Sequence, residues 1–292
     1  MTSLEELFCH IDDFCQAFEP QWQATLLNNG LKRRQRGRAL SLSEIMTILV
    51  SFHQQSYRNF KHFYQKHVCC YWAAAFPQLP SYQRFVDWIP STLLPLCVYL
   101  KHCFGDCSGI SFIDATALKV CHNRRINQHQ GFDDLAARGK TSVGWFYGFK
   151  VHLVVNEFGE LLNVTVTPGN TDDRKPVPDL LAGLCGKVFA DRGYVSKKLA
   201  LQLPQDWGIE FFAKPKRNMK NTLMKLTDKL LARKRSIIET VIDQLKNISQ
   251  IEHSRHRSPV NFMVNLMCGL IAYCHQPKKP GLNLEWALPP TA

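Results

Sequence analysis

Residues 145–156, WFYGFKVHLVVN, are followed by EFGE (157–160) and LLNVTVT (161–167). Two runs rich in aromatic and β-branched residues flank a short turn with a glycine, the pattern of an antiparallel hairpin. Upstream, GISFID (109–114) alternates Ile110 and Phe112 with polar neighbours and reads as a strand ending at Asp114. Downstream, Pro168-Gly-Asn170 closes the hairpin and residues 172–184 can form a helix. KVFAD (187–191) is a short fourth strand that again ends in aspartate, residues 196–203 are helical, and residues 209–213 make a fifth strand. Three strands, helix, strand, helix, strand, helix predicts a mixed five-stranded α/β sheet with flanking helices.

The last helix of that series is residues 230–251, LLARKRSIIETVIDQLKNISQI. At helical spacing Arg235, Glu239, Asp243 and Lys246 share one face, opposite Ile238, Val241, Ile242, Leu245 and Ile248. Taken alone, such a face is salt-bridged surface. It changes meaning beside Asp114 and Asp191, each of which alone reads as a strand-end turn former. If the first and fourth strands are neighbours, their two carboxylates converge at one edge and Glu239 reaches the same point. Three carboxylates held together repel unless cations neutralise them, and Mg²⁺ or Mn²⁺ takes hard oxygen ligands of this kind. Two such ions about 3.5–4 Å apart activate a water or a 3′-hydroxyl and stabilise the leaving oxygen of a phosphodiester. Arg235 and Lys246 would then hold phosphates.

Charge supports an anionic substrate. The 292 residues carry 36 Lys+Arg against 24 Asp+Glu, a net +12 that favours a polyanion, nucleic acid first. Lys32-Arg33-Arg34-Gln-Arg36-Gly-Arg38 forms one dense run, in which Arg33, Arg34 and Arg36 are candidate DNA contacts. A second run from Lys214 through Lys216 and Arg217 to Arg235 leads into the carboxylate helix. Both also read as solvated loops. Lys150 and His152 alternate to one face of the second strand, either as a packed polar pair or as phosphate contacts near Asp114. Ahead of the sheet, residues 1–30 look helical. Ser41 and Glu44 form a capping box opening a helix over 42–66, and Ser81 starts another stretch that Pro90 and Pro95 interrupt. The expected organisation is an all-helical DNA-binding region (1–105), a catalytic domain (106–275) and a flexible tail (276–292).

The eleven cysteines are scattered and odd in number, as expected of reduced thiols in a cytosol. A zinc site from Cys103, Cys107, Cys121 and His122 is disfavoured, because adjacent ligands do not easily chelate one tetrahedral ion. No run is apolar for long enough to span a bilayer, and the first residues lack a signal-peptide layout.

These residues carry a resemblance. The order Asp114, Asp191, Glu239 resembles the DDE-class transposases of bacterial insertion sequences. Phe112-Ile-Asp114-Ala-Thr116 is similar to that family's first-aspartate strand, Tyr147-Gly-Phe-Lys150-Val-His152 to its second strand, and Pro168-Gly-Asn170 to the loop after the third. Ala190-Asp191-Arg-Gly193-Tyr194 resembles the second-aspartate motif, and Arg235, Glu239 and Lys246 stand at the spacing of the helix signature. That signature often carries a tyrosine where this chain has Ala232. The resemblance implies a ribonuclease-H-like sheet and a triad of Asp114, Asp191 and Glu239 holding two Mg²⁺ or Mn²⁺ ions. It further implies cleavage at element ends and joining of the 3′-hydroxyl to target DNA. The partners expected are terminal inverted repeats, target DNA and a second copy in a homodimer, with no membrane and no small-molecule substrate. The expected location is the bacterial cytoplasm at the nucleoid. A nuclease or resolvase that cuts without joining, and a DNA-binding regulator without catalysis, remain alternatives.

Overall fold

The structure is a computed structural model and describes residues 3–30, 37–55, 57–215, 224–252, 256–282 and 284. The chain divides into two compact units, Met1–Cys103 with Leu245–Pro277 and Phe104–Gln244 with Lys278–Ala292. The N-terminal segment of the first of these units ends at Cys103. The segment from Leu245, however, groups with the N-terminal helices rather than with the sheet.

The first unit is helical. α1 (Leu4–Asn28) buries Leu7, Ile11 and Cys15 along one stripe. α2 (Leu42–Gln54) starts at the expected capping box: the Ser41 hydroxyl accepts from Glu44 N and the Ser41 N–H donates to Glu44 Oε2 at 2.6 Å. It stops at Gln54 instead of running to residue 66, because Gln55 is extended. A new start at Asn59 caps α3 (Phe60–Phe63), which passes through a π turn (Tyr64–Val68) into α4 (Cys69–Tyr71). α5 (Tyr82–Trp88) leads through a 3₁₀ turn into α6 (Leu93–His102), so Pro90 and Pro95 sit within helical chain as expected.

The second unit is a six-stranded mixed sheet with helices. β1 (Ile110–Cys121) runs well past Asp114, which therefore stands within the strand rather than at its end. β2 (Ala137–Thr141) is the strand missing from the five-stranded expectation. ARGKT has neither alternation nor β-branched density; pairing with the N-terminal half of β3 (Gly144–Asn156) makes it a strand. β4 (Leu161–Pro168) pairs with the other half of the same edge of β3. Gly159 makes the turn between β3 and β4 at φ 71°, where a Cβ would also meet the Pro280 carbonyl oxygen at 2.1 Å. Next come α7 (Val177–Leu180), β5 (Lys187–Ala190), α8 (Lys197–Trp207) and β6 (Glu210–Ala213). The order across the sheet is β2-β3-β1-β5-β6, with β4 beside β3; β3 is antiparallel to β1, while β5 and β6 run parallel to it. The helix expected over 172–184 is confined to α7, which starts only at Val177 because Pro176 and Pro178 fit a first turn and not a helix interior.

Two faces of the sheet are used differently. Ile113, Val154, Leu162, Val188 and Ala190 pack under Val177, Leu180, Leu199 and Leu203 of α7 and α8 in the buried core. On the opposite face Phe112, Phe189 and Phe212 form a ladder over three neighbouring strands, with ring centroids 5.7 and 5.1 Å apart. The long helix expected over 230–251 is two helices, α9 (Leu226–Lys234) and α10 (Ser236–Asn247), joined at Arg235. α11 (Pro259–Cys274) is capped by Ser258 and packs on α2 and α6 in the first unit. It is apolar nearly all round because it is the core of that unit. No described helix is long and apolar enough to cross a membrane.

Candidate active site

The parallel register of β1 and β5 fixes two carboxylates. Phe112 lies opposite Phe189, and each strand reaches an aspartate two residues later, Asp114 and Asp191. Side chains repeat every second residue, so both aspartates continue the face of the phenylalanine ladder. β5 ends at Ala190, so Asp191 opens a 3₁₀ turn (Arg192–Tyr194) at the point where β1 loses its parallel neighbour. Lys187 shares the face of Phe189 and Asp191, and its Nζ contacts Asp228 Oδ1 of α9 at 2.5 Å. That contact ties α9, and with it the α9–α10 junction, to β5.

At that junction Arg235 collects three acids. Its guanidinium reaches Asp114 Oδ2 at 3.1 Å, Glu239 Oε1 at 2.5 Å and Asp191 Oδ1 at 3.8 Å. Glu239 is on the first turns of α10, one helical turn from Arg235, as its spacing requires. The Arg235 side chain is 17% exposed and Asp114 23%, against 49% for Asp191 and 58% for Glu239, so the cluster has a buried floor and an open rim. Burial pushes the Asp114 carboxyl above the usual aspartate value, and the nearby Asp191 charge adds to this. The Ala115 N–H, which donates to Asp114 Oδ1 at 2.8 Å, and Arg235 oppose the shift.

Three carboxylates on one guanidinium leave about two negative charges uncompensated. Hard oxygens in this number are the donor set that a Mg²⁺- or Mn²⁺-type ion takes, so the residues fit such an ion chemically. As they stand, no group of three or more His, Cys, Asp or Glu among the described residues is placed to hold a metal ion. The guanidinium occupies the point on which the acids converge.

The structure brings together Asp114, Asp191, Glu239 and Arg235. The other expected contacts are placed differently. Lys150 is turned to the loop after β4, with Nζ 2.8 Å from both Thr171 O and Asp173 Oδ1. His152 is fully buried, its Nε2 2.8 Å from Thr167 Oγ1, so it is closed to DNA; burial lowers its pKa to about 4. Lys246 pairs with Glu252 at 3.6 Å. Lys214 is exposed directly after β6, its N–H 3.4 Å from the Ala190 carbonyl, beside Asp191. Arg33, Arg34, Arg36, Lys216 and Arg217 lie outside the described residues.

Sequence reasoning passed over Tyr194. It is buried against the cluster, its hydroxyl has no hydrogen-bond partner among the described residues, and burial followed by the Asp114 charge raises its pKa. Its place in the Asp191-to-Tyr194 motif was the available signal. Asp228 and Asp173 carry no sequence motif that singles them out. Each holds a lysine of the sheet.

A family model described as a transposase DDE domain matches residues 104–259, more than half of the chain. No curated protein matches it. The matched segment contains all three acids and Arg235. The chain belongs to the transposase DDE-domain family, which acts on DNA and generally uses divalent metal ions.

Proposed function

We propose that the protein binds the ends of a mobile insertion element, cleaves the phosphodiester there and joins the freed 3′-hydroxyl to target DNA. The observation that carries this reading is the convergence of Asp114, Asp191 and Glu239 on Arg235 inside the family match. The strand order with an antiparallel β3 beside β1 supports a ribonuclease-H-like sheet as its scaffold.

In this reading Asp114, Asp191 and Glu239 hold the divalent metal, as two Mg²⁺ or Mn²⁺ ions. Bound there, such ions supply an activated water or 3′-hydroxyl and stabilise the leaving oxygen. Asp114, set in the floor, fixes the position of the site. Asp191 and Glu239, at the open rim, are the acids that adjust to substrate. Arg235 holds the acids together when no metal ion is bound and turns to the scissile phosphate when a metal ion binds. Lys214, next to Asp191, contacts the same strand. The N-terminal helices and the basic run with Arg33, Arg34 and Arg36 bind element ends, and a homodimer on DNA holds two ends together. The protein works at the nucleoid of a bacterial cell.

Purified protein with labelled element-end DNA, a target plasmid and Mg²⁺ tests the reading. Joined products that disappear in Asp114→Ala, Asp191→Ala and Glu239→Ala, with end binding retained, are expected. Cleavage without joining under all conditions identifies a nuclease, and binding without cleavage a regulator. Full activity in any of the three variants overturns the site.

A further inference from the structure

A polar cleft of about 450 Å³ lies beside the carboxylates and is not used by the reaction as described above. Gly193, two residues beyond Asp191, forms one wall; residues 169–173 form another, and the β2–β3 hairpin the third. Its size is in the range of ligand pockets, about 300–1,000 Å³.

The hairpin presents an aromatic face with cations around it. Trp145 is 63% exposed although it begins the most buried strand of the sheet. Its backbone is held in place, because Asn123 Nδ2 donates to the Trp145 carbonyl at 2.9 Å. Lys140 lies directly across the strand pair, with Nζ 5.7 Å from the indole centroid. Arg138, two residues away on β2, is exposed on the same side. Gly139 between them keeps the cleft floor thin: a Cβ there would meet the Gly169 carbonyl oxygen at 2.2 Å and the Phe146 ring at 2.6 Å.

The charges do not cancel. Asp172 is held by Arg174 and Asp173 by Lys150, so each acid of the cleft has its own cation. Arg138 and Lys140 make no ion pair among the described residues. What remains is an exposed indole with two uncompensated positive charges, in a cleft whose wall at Gly193 is two residues from Asp191. An indole face binds a base by stacking, which an unpaired nucleotide offers along its whole strand, whereas in a duplex interior the neighbouring pairs cover both faces.

We propose that this cleft holds one unpaired nucleotide of the DNA strand, its base on Trp145 and its flanking phosphates on Lys140 and Arg138. The proposal rests on the reading that the neighbouring carboxylates act on DNA, and gives the strand a second point of attachment beside them.

The test is binding without catalysis. The full chain in EDTA is titrated into a short labelled oligothymidylate and, separately, a blunt duplex, followed by anisotropy. Trp145→Ala is expected to weaken oligothymidylate binding ~10-fold, Trp145→Phe to retain most of it, and duplex binding to change little. Replacing Lys140 and Arg138 by Gln lowers the salt slope for the oligothymidylate by about 1.4. Wild-type affinity in Trp145→Ala, with native circular dichroism, overturns the proposal and leaves the reaction at the carboxylates standing. Wild-type protein that binds neither DNA overturns both.

Discussion

Lys187 of β5 and Asp228 of α9 form a nearly buried ion pair, with 2.5 Å between charged atoms and only 4% of the aspartate side chain exposed. Lys187 shares its strand face with Asp191, so the pair anchors the helix that delivers Arg235 to the strand that delivers an acid. Removing one partner of such a pair leaves a buried charge alone, which costs more than the pair contributes. Lys187→Met is expected to destabilise the protein by about 2 kcal/mol, reduced from the fully buried case because the lysine is partly solvated. Adding Asp228→Leu should recover most of that loss. Urea unfolding of the three proteins measures it, and a double variant no better than the single one contradicts the account.

Asp114 carries the opposite sign of electrostatic effect. Its raised folded-state pKa means that the native state binds its proton more tightly than the unfolded chain does. The cost of ionising it is absent at acid pH and sets in as pH rises through the carboxylate range. Asp114→Asn should therefore raise metal-free stability at pH 7, and the gain should vanish on acidification. Thermal unfolding across that range checks the direction, while DNA cleavage by the variant is expected to be lost.

Arg235 stands in for a metal ion. In Arg235→Gln the three acids lose their common partner, and without divalent ions the unfolding midpoint should drop by about 2–4 °C for each kcal/mol lost. Millimolar Mn²⁺ should raise the variant's midpoint by more than it raises the wild type's, because no guanidinium has to be displaced. A larger response in the wild type would show that Arg235 does not compete for the position.

His152 is buried with one ring nitrogen on Thr167, and its pKa is lowered to about 4. A base that protonates more readily when unfolded lowers stability as pH falls below its unfolded value near 6.5, until the folded value is reached. The imidazole should remain neutral by NMR from pH 7 down to about 4, and adding DNA should leave its resonances in place. Titration near 6.5 would place the ring in solvent.

The basic run is tested through salt. Converting Arg33, Arg34 and Arg36 together to Gln should lower the slope of log affinity against log salt by about 3 for duplex element ends. An unchanged slope removes these residues from the DNA interface.

The carboxylate site was legible in the sequence because period-two strands and a period-3.6 helix each place residues by local rules. Asp114, Asp191 and Glu239 follow from strand faces and one helical turn. The same rule carries β1 on to Cys121, with Thr116, Leu118 and Val120 buried at period two beyond Asp114. The rules could not find β2, whose polar residues acquire strand geometry from a neighbour. Arg235 was legible as part of the helix face. Its place between the acids was not, since the 230–251 helix breaks at that residue. Lys150 and His152 went astray for a simpler reason: spacing gives a face, whereas burial depends on what covers that face.

The mixed pairing of the sheet separates its two aspartates by range along the chain. β3 and β4 meet through a short turn, and β1 lies along nearly the full length of β3. β5 joins β1 only over residues 110–112, across a longer loop with a larger closure cost, and β6 pairs with β5 in turn. Asp114 stands on the shorter-range part of the sheet and Asp191 on the longer-range part. The three acids therefore meet only when both parts and α10 are in place, and a chain lacking any of them has no assembled cluster.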